Sequence, residues 1–104
     1  MITGPNTTFT DAECESLYDR VLASSSLERQ SLHMCEEMSE LGIAISHHIR
    51  GRVRDLDNVA EEMADVIIMI DEMRHLFGIS RDELKTKLSA KLAKFRVKVE
   101  AGMG

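Results

Sequence analysis

With 104 residues, the chain can form one domain but not two independent cores. Its 43% hydrophobic and 30% charged composition excludes an intrinsically disordered class, and a net charge of -5 argues against nonspecific binding to nucleic acid or anionic membrane. One Pro, six Gly, no Trp and seven Met disfavour a turn-rich β-sandwich and predict an all-α fold.

In chain order, residues 1–9, with Gly4, Pro5 and a Thr/Asn-rich run, read as an extended arm. Thr10 and Glu13 form a Ser/Thr-x-x-Glu capping box that opens a helix over 11–23. Ser25 and Glu28 repeat the pattern and open a second helix over 26–50, which Gly51 ends as a left-handed cap. A third helix over 56–77 stops at Gly78, and a third box, Ser80 with Glu83, opens the fourth over 81–98. The tail from Gly102 to Gly104 is expected to fray.

Apolar residues recur at helical spacing on each element. The stripes are Leu17, Val21 and Leu22; then Leu27, Met34, Met38, Leu41, Ile45 and Ile49; then Val59, Met63, Val66, Ile70, Met73 and Phe77; then Leu84, Leu88, Leu92, Phe95 and Val99. This pattern predicts a single-domain four-helix bundle over 1–104. A chain this small buries only about 60–65% of its unfolded surface, so completion of the bundle by oligomerisation is expected.

The charge is segmental. Residues 36–72 hold ten acids against three bases, whereas residues 73–104 hold eight bases against three acids. Cys14 and Cys35 lack metal-ligand spacing, which predicts free thiols in a reducing cytoplasm. The longest apolar run, Val66 to Ile70, is far short of the roughly 20 residues that a membrane span needs.

Glu36, Glu37 and Glu40 share an arc of about 100° on the second helix, and Glu62 and Asp65 lie one turn apart beside the apolar stripe of the third. The short connection between these helices predicts an antiparallel hairpin. Counted from Val53, Glu40 and Asp65 fall at nearly the same height, with Glu37 and Glu62 a turn away. Carboxylates crowded near a low-dielectric core repel one another, and a hard divalent cation offsets that repulsion. Oxygen-only donors select Mg²⁺ or Mn²⁺ over zinc.

The run Glu36, Glu37, Met38, Ser39, Glu40, Leu41, followed after 20 residues by Glu62, Met63, Ala64, Asp65, Val66, resembles the EExxE and ExxD signature of MazG-like all-α nucleotide pyrophosphohydrolases. The likeness covers roughly residues 28–98. It implies Mg²⁺-dependent hydrolysis of a nucleoside triphosphate to monophosphate and pyrophosphate, with Glu37, Glu40, Glu62 and Asp65 as metal ligands. Glu36 matches the first Glu of the motif and would orient water or a second ion. The resemblance also implies a homo-oligomer with a tetramer favoured over a dimer, and a house-cleaning role on deoxynucleotides. Phosphoribosyl-ATP pyrophosphohydrolase shares similar motifs, but the run after Asp65 lacks the histidine expected in that branch. A noncatalytic helical interaction module is the remaining alternative.

Lys87, Lys91, Lys94 and Lys98 occupy one edge of the fourth helix; Lys87 and Lys91 are the candidates for phosphate contact. His33, on the same arc as Glu36 and Glu40 and one turn earlier, and Asn58, one turn before Glu62, are the other substrate candidates. Arg50, Arg52, Arg54, His47 and His48 suit the helix C-terminal dipole. Glu72 and His75 form an ExxH pair, but a di-iron bundle needs a second such pair on another helix, and the sequence has none. Met69 projects beside Asp65 and reads as core packing.

Overall fold

A computed structural model describes residues 7–51 and 55–102. The predicted positions of Gly4, Pro5, Arg52, Val53, Arg54 and Gly104 lie outside the described residues. The fold is all-α, with α1 Asp11–Ala23, α2 Leu27–Ile49, α3 Leu56–Leu76 and α4 Arg81–Glu100. The α2 and α3 helices pack as the central pair, and α1 packs on α3.

Local capping chemistry explains the boundaries. Thr10 Oγ1 accepts from the Glu13 amide at 3.1 Å and the Thr10 amide donates to Glu13 Oε1 at 2.8 Å, completing the predicted box. The second box shifts by one residue: Ser26, not Ser25, caps α2, accepting from the Arg29 amide at 3.1 Å. Ser25 is committed elsewhere, since its amide donates to the Leu22 carbonyl that closes α1 and its hydroxyl accepts from Gln30 Nε2. Asp55 caps α3 through the Asn58 amide, and Ser80 caps α4 through the Glu83 amide.

Gly51 and Gly78 have φ of 72° and 76°. At Gly78 the glycine amide donates to the His75 carbonyl and the Ile79 amide to the Arg74 carbonyl, a Schellman stop that turns the chain toward α4.

The apolar interior is small: Cys14, Tyr18, Ala44, Val59, Met69 and Met73 are buried. Much of each predicted stripe is exposed instead, including Leu17, Met38, Ile49, Met63, Phe77, Leu92, Phe95 and Val99. Periodicity identifies an apolar face but not what covers it, and among the described residues no element covers these positions. Met69 is buried, as its core assignment requires.

A polar cluster ties the first, third and fourth helices together. Asp71, fully buried, accepts from Tyr18 Oη at 2.7 Å, from Arg81 Nη1 and Nη2 at 2.6 and 3.1 Å, and from Arg74 Nε at 3.1 Å. Arg74 also donates to the Ile79 carbonyl at 2.7 Å and to Glu15 at 3.0 Å. Burial works against the Asp71 charge, but the hydrogen bonds from Arg81, Tyr18 and Arg74 outweigh it and hold the carboxyl below its ordinary range. Burial and the bond to Asp71 push the Tyr18 phenol up, so it stays a neutral donor. His75 pairs with Asp19 at 2.8 Å and is thereby taken up by α1.

Candidate metal and substrate site

The α2–α3 hairpin brings together one carboxylate oxygen from each of Glu37, Glu40 and Glu62, all within 4.8 Å of one another. Two of the three come from one face of α2, because positions three apart are neighbours on a helix, and the third comes across from α3. Asp65, one turn further along α3, is exposed and outside this group. Its charge is still felt. Partial burial, then repulsion from Glu40, Asp65, Glu37 and Glu61, pushes the Glu62 carboxyl above its ordinary range.

Glu37 Oε2 and Glu62 Oε2 are buried without a hydrogen-bond partner. Buried, unpaired carboxylate oxygens carry a desolvation penalty that a cation relieves. Oxygens on Mg²⁺ lie about 3 Å apart when adjacent and about 4.2 Å when opposed, both inside the 4.8 Å within which the three fall. The donor set therefore fits a hard divalent ion.

Two shallow recesses flank the acids. One of about 240 Å³ is walled by Glu40, Ile43, Ala44, His47, Asn58 and Glu62. It puts Asn58 beside two of the acids, and it adds His47, which the sequence reading assigned to the helix dipole. That role was legible only in part: His47 lies seven residues after Glu40, two turns along the same face. The other recess, about 500 Å³, lies on the outer side of α2 and is lined by Leu32, Cys35, Glu36, Ser39 and Glu40. Glu36 thus opens away from Glu62, while Glu40 borders both recesses.

His33 Nε2 lies 3.1 Å from Glu37 Oε1, one helical turn away, so its imidazole orients the Glu37 carboxylate. Lys87 and Lys91 are exposed on α4 and line neither recess. Glu72 is buried with Oε2 unpaired, and burial pushes its carboxyl up, an effect that the charge of His33 partly opposes. Among the described residues no helix is long and apolar enough to cross a membrane. No family model, no curated protein and no solved structure matches the chain.

Proposed function

We propose that the protein is a Mg²⁺-dependent nucleoside triphosphate pyrophosphohydrolase that releases monophosphate and pyrophosphate, with a cytoplasmic house-cleaning role on deoxynucleotides. The observation that carries this reading is the convergence of Glu37, Glu40 and Glu62 across two helices, with two buried oxygens left unpaired. The resemblance of these residues to the EExxE and ExxD motifs of MazG-like enzymes supplies the reaction class.

When bound, Mg²⁺ (or Mn²⁺) neutralises phosphate charge and lowers the pKa of an attacking water. Glu37, Glu40 and Glu62 hold the ion, with Asp65 one turn away as the fourth carboxylate of the motif. His33 keeps the Glu37 carboxylate in place through their hydrogen bond. A neighbouring carboxylate not engaged with the ion would accept the proton from the water. The water oxygen bonds to a phosphorus of the α–β linkage, the bond from that phosphorus to the bridging oxygen breaks, and the bridging oxygen leaves with the departing phosphate. Asn58 offers a carboxamide and His47 a ring face to the nucleoside in the recess beside Glu40. Lys87 and Lys91 act on the phosphates only where α4 is brought to the acids. The proposed state is a homo-oligomer, a tetramer of two dimers.

Pyrophosphate release from a nucleotide panel containing phosphoribosyl-ATP, with Mg²⁺ present, tests the reading. Activity on triphosphates that falls at least 100-fold in Glu40→Gln and Glu62→Gln supports it. Undiminished activity in both variants refutes the site, and no hydrolysis of any nucleotide favours the interaction module.

A further inference from the structure

Among the described residues, three glutamates carry a buried carboxylate oxygen without a hydrogen-bond partner: Glu37, Glu62 and Glu72. The first two belong to the acidic triad, where a cation relieves them. Glu72 lies outside the triad and is 5% exposed, and a desolvated, unsatisfied carboxyl of this kind works against folding. Local rules broken at such a cost mark functional positions. Glu72 follows Asp65 by seven residues, two turns along one edge of α3, and His33 precedes Glu40 by seven, two turns along one edge of α2. In the α2–α3 hairpin, α3 runs on from Glu62 beside the part of α2 that holds His33. The charge of His33 acts on the Glu72 carboxyl, against the effect of burial. The same imidazole reaches the triad, with Nε2 3.1 Å from Glu37 Oε1. The His33 side chain is 49% exposed, so packing alone does not fix the ring.

We propose that Glu72 is a positioning residue for the metal site: it anchors the His33 ring from α3, and the ring in turn holds Glu37 Oε1, so that Glu37 Oε2 is presented to the cation. Glu72 touches neither the ion nor a reacting atom. Its part is that of the outer carboxylate that orients a histidine behind a metal, moved out by one link because here the histidine holds a ligand carboxylate and not the metal itself. The unpaired Glu37 Oε2 is the oxygen this arrangement leaves free. A buried charge kept for the sake of a site has a recognisable signature, since removing it improves stability and harms the site. A residue that serves packing alone moves both in the same direction.

The inference rests on the metal site of the proposed function and not on nucleotide hydrolysis, so Mn²⁺ alone tests it in the full chain. By titration calorimetry, Glu72→Gln is expected to weaken Mn²⁺ binding about tenfold while keeping the helicity of the parent by circular dichroism. His33→Ala is expected to weaken it by a similar factor, and the double variant no further than His33→Ala alone, because the effect of Glu72 passes through the ring. In the metal-free protein, ¹³C relaxation of the His33 ring should show one ordered orientation in the parent and increased motion in Glu72→Gln. Unchanged Mn²⁺ affinity in Glu72→Gln, or single-variant factors that multiply in the double variant, overturns the role of Glu72 while leaving the triad standing. Weaker binding accompanied by lost helicity marks a packing defect and overturns it as well. A parent chain that takes up no Mn²⁺ overturns the triad as a metal site and the inference with it.

Discussion

Removing the Asp71 carboxylate should be among the most damaging single changes in this protein. In Asp71→Ala the guanidinium of Arg74, whose side chain is 4% exposed, and that of Arg81, 14% exposed, each lose their shared acceptor. The Tyr18 hydroxyl loses its partner as well. Breaking one member of a buried, hydrogen-bonded charge set costs about 3–5 kcal/mol, because the remaining charges stay desolvated without compensation. That is a large share of the roughly 5–15 kcal/mol that stabilises a domain. With an m-value of roughly 2 kcal/mol/M, the urea midpoint should fall by about 2 M at fixed protein concentration. The pH dependence has a definite sign. The folded carboxyl titrates below its unfolded value of 3.8, so its contribution is present above that value and is lost as pH falls through the folded pKa. Asp71→Asn should therefore be less stable than the parent at pH 7, and the gap should narrow below pH 4. A midpoint shift under 0.5 M, on the order of 1 kcal/mol at that m-value, or a gap independent of pH, would refute the reasoning.

Glu72 carries the opposite sign: burial raises its folded pKa, so its charge opposes folding as pH rises through that value. Glu72→Gln should raise the urea midpoint at pH 7 and change it little at pH 4, and a fall at pH 7 would show that the charge has a partner. At the triad, Glu62→Gln removes mutual repulsion, so the metal-free thermal midpoint should rise while the Mg²⁺-induced increment disappears; calorimetry reads both. Gly78→Ala meets no atom within 4 Å but is held at φ 76°, so it should cost about 1–2 kcal/mol in chemical denaturation. Gly78→Asn should cost less, because Asn tolerates that conformation better than Ala does.

Helix ends were legible because capping is local: a side chain and an amide three residues apart decide it, as at Thr10 and Ser80. The N-cap slip, Ser25 for Ser26, arose because three consecutive serines offer equivalent caps, and the closing hydrogen bonds of α1 selected among them, while α4, expected over 81–98, runs to Glu100. The carboxylates were legible as residue types at helical spacing. Their convergence depended on the rotation and height of one helix against the other, which brings the oxygens of Glu37, Glu40 and Glu62 together and leaves Asp65 outside the group. His47 was read as a dipole partner because it sits near a helix end, and only the tertiary structure puts it in the wall of the recess beside Glu40.

By itself the sequence determined that the chain is helical, where each helix starts and stops to within about two residues, and which faces are apolar or acidic, since these follow from interactions spanning three or four residues. Tertiary structure alone decided which faces are covered and which polar groups meet. Tyr18 and Asp71 are 53 positions apart and no periodicity links them, yet their contact and the two arginines around it fix how α1, α3 and α4 join. The same packing left the far half of α4 exposed, because burial depends on the neighbours an apolar stripe acquires and not on the stripe itself.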